Sequence, residues 1–426
     1  MNQTKALNKL IIVAALGYFV DIYDLLLFGV ERVQSLNEIL PIQFPNLDLQ
    51  KLAELNAYYG KQLLNWQMAG MLIGGIFWGI LGDKKGRLSV LFGSILTYSI
   101  ANIANGFVNS TDWYAALRFI SGFGLAGELG AGITLVSETM SKEKRGIGTM
   151  IVATVGVFGA VVAGFMGDAF NRWGLGWRYS YYLGGAMGLA LLILRIGVFE
   201  SGMFNSIKQE NVSKGNFFQL FGNRKRLLKY LCIIFVTVPV WYAMGTLVIF
   251  SPELFAKLSG NPLNAKLVTG GKAIMYAYSG ITVGDLICGA VSQWLKSRKK
   301  TLFIFLLLTV ISIIIYFIIG GQSVTIFYGC IVFVGFATGY WAVFISTASE
   351  LFGTNIRATA TTTAPNFVRG STILISYLLT LMTMIFGKEG LTATIVTGVI
   401  IILIAFFSLY HLEETFGKDL DYIEEN

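Results

Sequence analysis

Charge is what this sequence lacks first. Asp, Glu, Lys and Arg make up 13% of its 426 residues, about half the share of an ordinary soluble domain. That excludes a disordered chain and argues against a soluble globular enzyme. Cysteine is nearly absent: Cys232, Cys288 and Cys330 each fall inside an apolar run, so no disulfide framework and no zinc-ligand spacing is expected. The single histidine, His411, closes the last apolar run and reads as interfacial. With no metal cluster and no nucleophile elbow, the parts for enzyme chemistry are missing, and no cofactor is expected. No small-residue cleavage site follows the first apolar run, so a removed signal peptide is not expected. No Gly-rich loop ending in Lys-Ser or Lys-Thr supports a phosphate loop.

What is present is apolar length. Apolar residues are 55% of the chain, aromatics 14%, and the mean hydropathy is +0.66. A membrane-crossing helix takes about 20 apolar residues. Twelve such helices are expected, near 8–30, 58–81, 88–108, 114–139, 147–169, 179–199, 229–250, 272–294, 301–320, 326–350, 359–385 and 392–411. The runs are too long for strands and lack a two-residue alternation. The net charge of +8 forms no soluble basic face for nucleic acid. With the N-terminus inside, 21 of the 32 Lys and Arg fall on the cytoplasmic side, 9 outside, and Arg118 and Arg369 within spans. Both termini are therefore expected in the cytoplasm, in a cytoplasmic (inner) membrane. The longest connections, near 31–57 and 200–228, are too short for the output domain of a receptor.

The two halves of the chain echo one another. Ser137-Glu138 is followed seven residues on by Arg145, and Ser349-Glu350 seven residues on by Arg357, an offset of 212. Glu200 and Glu414 stand 214 apart at the ends of the sixth and twelfth spans. The expected organisation is an N-terminal six-helix bundle (1–199), a cytoplasmic linker (200–228) and a C-terminal six-helix bundle with a short tail (229–426). Such pseudo-symmetry suits alternating access about a shared midplane site.

These residues carry a family resemblance over nearly the whole chain. Gly79, Asp83, Gly86 and Arg87 resemble the signature loop of the major facilitator superfamily, and Arg118-Phe119, Gly122, Gly124 and Glu128 resemble its fourth-span motif. Trp177-Arg178 and Glu414-Thr415-Phe416-Gly417 are similar to elements of its sugar-porter and metabolite:proton symporter branches. The second copy of the signature loop is degraded, with Gln293 near the place of Asp83. The resemblance implies an all-α polytopic fold of two six-helix bundles. It implies a secondary transporter of a small organic solute, working as a monomer in the lipid bilayer with protons as co-substrate.

Six ionisable residues are expected at membrane depth, where each costs about 2.5–3.5 kcal/mol on insertion scales and so needs a partner or a cavity. Asp21 and Asp24 share one helix face. Their segment resembles the first-span motif of proton-coupled phosphate and organic-acid symporters. Arg118 reaches a similar depth and is expected to pair with one of them, for coupling or simply to join spans 1 and 4. Glu128, flanked by Gly127 and Gly130, matches the acid of the same symporters; the alternative is a buried acid bonded to neighbouring helices. Arg369 either binds an anionic substrate or is a permanent partner of Asp285.

Candidate pocket residues are Tyr18, Tyr23, Asn65, Trp66, Gln67, Trp241, Tyr242, Tyr340, Trp341 and Asn366. By resemblance, Asp83, Arg87, Glu138, Arg145, Glu350 and Arg357 form a cytoplasmic gate network; simple interfacial anchoring is the alternative. Organic acids, sugars, amino acids and siderophore-like metabolites stay open as substrates. So do an exporter or antiporter, an uncoupled facilitator and, more remotely, a receptor or membrane enzyme.

Overall fold

A computed structural model describes residues 2–85, 87–128, 145–200, 220–387 and 391–418. Among them there is no strand. The N-terminal half holds α1 (Asn2–Gln43), α2 (Leu49–Lys85), α3 (Arg87–Asn105), α4 (Thr111–Leu125), α5 (Arg145–Arg172) and α6 (Arg178–Glu200). The C-terminal half begins with α7 (Arg224–Tyr242), which runs on as a π-turn (Ala243–Val248) after Pro239. Then come α8 (Ser251–Leu258), a 3-10 turn (Pro262–Leu267), α9 (Gly270–Leu295) and α10 (Arg298–Ile319). The chain ends in α11 (Val324–Ala337), α12 (Trp341–Glu350), α13 (Thr354–Phe386) and α14 (Thr392–His411). Ten helical stretches among the described residues are long and apolar enough to cross a membrane. With α3 and α4 beside them they make a twelve-legged, all-α integral membrane fold.

Helix starts follow the sequence. Ser110, Asn223, Thr269, Ser297 and Ser323 each accept a backbone N–H of the first turn, the bond that small polar residues supply at N-caps. The turn between α5 and α6 needs left-handed backbone at Gly174 and Gly176 (φ 74° and 79°), where a side chain would be strained.

Two sequence expectations fail here for one reason. Residues 31–57 are not a loop: α1 runs to Gln43 and α2 starts at Leu49. Glu31 and Arg32 looked like the end of a span, yet both are fully buried in mid-helix. Arg195, counted among the cytoplasmic-side cations, is also buried, in the last third of α6. In each case a partner or a dry recess replaces the water that a loop charge would use. The tenth span is broken between α11 and α12 at Thr338–Tyr340. There the Gly339 backbone lies so close to α9 that a Cβ would sit 2.7 Å from Gly284 Cα.

In the N-terminal half α1 packs on α5, and α4 on both α2 and α3; in the other half α9 packs on α11, and α7 on α14. The halves meet through α2 on α13 and through α5 and α1 on α9. At the end away from the linker they are tied by Arg32 of α1 and Glu253 of α8 (2.7 Å) and by Asp168 of α5 and Lys272 of α9 (3.9 Å). Arg32 also donates to Asn56 (3.1 Å) and lies 4.4 Å over the Phe250 ring.

Candidate functional site

The halves face each other at mid-depth across Asp21 of α1 and Arg369 of α13. Asp21 Oδ2 and Arg369 Nη1 stand 4.0 Å apart, both groups almost wholly buried. That is an ion pair without a hydrogen bond, since an N–H···O contact closes at about 3 Å. Neither Asp21 oxygen, nor Arg369 Nε or Nη1, has a hydrogen-bond partner among the described residues. The Arg369 guanidinium lies 5.8 Å from the Trp341 ring, a cation–π distance, and the Trp341 indole N–H is likewise unpartnered. Tyr18 and Tyr278 lie within electrostatic reach of the same arginine. Buried polar atoms are rarely left unpaired, so a cluster of them around one loose ion pair marks a place for a polar ligand.

Sequence reasoning expected Asp285 as the alternative partner of Arg369, and that pairing does not form. Asp285 instead accepts the Ala342 N–H at 3.1 Å. It caps the first turn of α12, whose N–H groups are freed by the break at Gly339. The expected Arg118–aspartate pair does not form directly either. Arg118 gives Nη2 to Asn102 (2.6 Å) and Nε to Asn105 (3.2 Å), and stacks 4.9 Å over Tyr181. Asp24 lies within its electrostatic reach. The α3 carboxamides take Nε and Nη2, while Nη1 and both Asp24 oxygens lack a close hydrogen-bond partner among the described residues, with the Asn102 amide near Asp24. Glu128 meets Arg195 in a bidentate ion pair buried on both sides, with Nη1 3.1 Å from Oε2. That partner was not legible, because Arg195 lies near the cytoplasmic end of the expected span 179–199, where a charge reads as interfacial.

The pocket candidates divide. Tyr23 donates to the Ser180 carbonyl (3.3 Å), Tyr242 to the Thr394 carbonyl (2.7 Å) and Tyr340 to the Val236 carbonyl (3.2 Å), so these hydroxyls lock helices together. Asn366 donates to the Ala126 carbonyl (3.0 Å) and Asn65 to Ser376 (3.2 Å), both between the halves. Gln67 donates to the Leu25 carbonyl (3.0 Å), while its own oxygen and that of Asn65 have no partner among the described residues. Trp66 is half exposed beside Phe119, and Trp241 is buried in the α7 packing. Tyr18, Asn65, Gln67, Trp341 and Arg369 are left with a face or an atom uncommitted.

Of the gate residues, Glu138 lies outside the described residues, as do the side chains of Asp83, Arg87 and Arg145. Glu350 takes a bidentate contact from Arg298 (2.9 and 3.2 Å) and a bond from the Thr415 hydroxyl (2.7 Å). Arg357 donates to the Ser349 and Phe352 carbonyls. Glu414 accepts from the Ser297 hydroxyl and from the N–H groups of Arg298 and Lys299, folding the tail across the start of α10. Burial pushes the Glu414 carboxyl up, but the Ser297 hydroxyl and the backbone N–H groups outweigh it and hold it below the usual glutamate range.

A family model described as Major Facilitator Superfamily matches residues 52–376. The 3-(3-hydroxy-phenyl)propionate transporter of Escherichia coli K12 is 26% identical over 399 residues, covering 90% of this chain and 94% of that one. The niacin transporter of Acinetobacter baylyi is 33% identical over 132 residues, 31% of this chain and 30% of that one. The xylose transporter of E. coli, in a partially occluded inward-open conformation, superposes with a TM-score of 0.69 at 16% identity, covering 98% of this chain and 100% of that one.

Proposed function

This chain belongs to the major facilitator superfamily, and within it we propose a proton-coupled symporter for a planar organic monocarboxylate. The observation that carries this reading is Arg369. It is a buried guanidinium with two unpartnered nitrogens, beside Trp341 and 4.0 Å from an aspartate on the other half. A guanidinium binds a carboxylate with two parallel N–H···O bonds, and an indole face suits a planar body. Two relatives are named for such compounds: 3-(3-hydroxyphenyl)propionate is an aromatic monocarboxylate and niacin a pyridine carboxylate.

Coupling follows from competition. While Asp21 is charged it holds Arg369; protonating it frees the guanidinium for the substrate carboxylate. The ligand then replaces the ion pair as the link between halves 1–199 and 229–426, which rock about linker 200–228. Asp24, Glu128 and Arg118 complete the proton set, with Glu128 compensated by Arg195 in this conformation. The cytoplasmic gate is formed by Asp83, Arg87, Glu138, Arg145, Glu350 and Arg357. The carrier works as a monomer in the inner membrane with both termini inside. A second reading, an uncoupled facilitator, draws on the same Glu128–Arg195 pair, since an acid that is already neutralised need not carry a proton.

A thermal-shift screen of the purified carrier tests the ligand class, because ligand stabilises by mass action. Aromatic monocarboxylates should raise the melting temperature, sugars and amines should not. Arg369→Ala should weaken binding about 30-fold or more, the loss of about 2 kcal/mol or more expected on truncating one side of a buried charge pair. A sugar shift that persists in Arg369→Ala would overturn the assignment.

A further inference from the structure

One buried acid of α1 has no part in the site just described. Glu31 is fully buried. Ser180 of α6 donates its hydroxyl to Oε1 at 2.6 Å, and Oε2 has no close hydrogen-bond partner among the described residues. α5 presents Gly167, where an added Cβ would lie 2.7 Å from Oε1, and Asn171, whose amide donates to the Gly167 carbonyl (2.7 Å) and also reaches the Glu31 carboxyl.

The titratable groups that face Glu31 are all neutral phenols: Tyr23 of its own helix, Tyr114 of α4 and Tyr181 of α6. The cations nearby are held by other groups. Arg32 pairs with Glu253, with Lys61 of α2 on that same side; Arg172 and Lys272 pair with Asp168; Arg178 pairs with Glu38; and Arg118 binds Asn102 and Asn105. A carboxylate buried among neutral groups, with one hydroxyl and one carboxamide for donors, is costly to keep as an anion, which favours the protonated acid.

Its place on α1 gives that proton a use. Glu31 is seven residues beyond Asp24, two helical turns along the same face and about 10.5 Å down the axis. Both press on α6: a Cβ on Gly184 would lie 2.2 Å from Asp24 Oδ1. Hydroxyls flank this face of α1. Tyr23 donates to the carbonyl of the same Ser180 whose hydroxyl binds Glu31. One turn further on, Tyr114 shares a 2.6 Å bond with Tyr181 and donates to Ser35 at 3.3 Å.

We propose that Glu31 is an exchangeable proton-binding site, the outer of two acids on one face of α1, that loads Asp24. A proton from the end bearing Arg32 binds Glu31. The acid's proton passes to the Asp24 carboxylate, and Glu31, left briefly as a carboxylate, is reprotonated from the same end. The proposal rests on the proton-coupled reading for its purpose, but its test needs neither substrate nor gradient.

Infrared difference spectra of the full-length carrier in lipid vesicles, with and without carbon-13 glutamate, read protonated glutamic acids apart from aspartic acids. We expect a protonated-glutamate carbonyl band that shifts in deuterated water, fades as the pH is raised and is lost in Glu31→Gln. Ser180→Ala, a milder change, should move the band by removing the hydrogen bond to Oε1. Absence of the band, its survival in Glu31→Gln, or its failure to exchange would each overturn the proposal. Failed uptake with a titrating band would refute the symporter reading alone.

Discussion

At the scale of single residues the interior is organised by charge compensation that varies in completeness. Glu128 and Arg195 are fully matched, Arg118 is solvated by two carboxamides, and Asp21 and Arg369 touch without bonding. Removing one side of a matched buried pair leaves an uncompensated charge and costs about 3–5 kcal/mol. Glu128→Gln should therefore lower the melting temperature sharply, and Glu128→Gln with Arg195→Gln should recover much of the loss. A single variant as stable as the parent would mean that the pair is not closed in the membrane. That Asp21, Arg118, Glu128 and Arg369 lie at depth was legible, because a charge inside an apolar run stands out. Their partners were not. Asp21 and Arg369 are 348 positions apart in the chain, and Arg195 and Arg32 sit near apolar-run ends where a charge reads as a loop.

At the scale of elements, contact is set by glycine and by breaks. α4 lies on α2 so closely that a Cβ on Gly122 would sit 2.0 Å from the Gln67 carbonyl oxygen. Backbone cannot yield as a side-chain tip can, so Gly122→Ala should cost about 1–3 kcal/mol by overpacking. The change should also move Gln67 and lower ligand affinity, both readable in one thermal-shift titration. Small residues on facing membrane helices permit such close packing. The break at Gly339 was not legible, since Thr338-Gly339-Tyr340 continues an apolar run and its function as a docking point for Asp285 depends on α9.

The tail is a second element with a pH signature. Glu413 is raised by burial but drawn down further by Lys418 and Lys229, and Glu414 is held low by Ser297 and backbone N–H groups. A carboxyl lowered on folding stabilises above its ordinary value of 4.5 and loses that contribution as the pH falls through the lowered value. The melting-temperature gap between the parent and Glu414→Gln should be open at neutral pH and close in acid. A gap independent of pH would mean that the carboxylate's charge is not what holds the tail.

At the scale of the whole molecule the structure is closed at one end. Arg32–Glu253 and Asp168–Lys272 bind the halves there, while Asp21 and Arg369 meet at mid-depth. The twelve-helix architecture was readable from span lengths. The closed end was hidden, because it depends on α1 continuing past Arg32. The central claim is that a proton on Asp21 frees Arg369 for a carboxylate. It is tested most directly in proteoliposomes carrying an interior pH dye, with protein-free vesicles correcting for passive entry of the acid. Adding an aromatic monocarboxylate outside should acidify the interior, and Asp21→Asn should abolish acidification while ligand still binds. Carboxylate uptake with no proton movement, or acidification unchanged in Asp21→Asn, would contradict it.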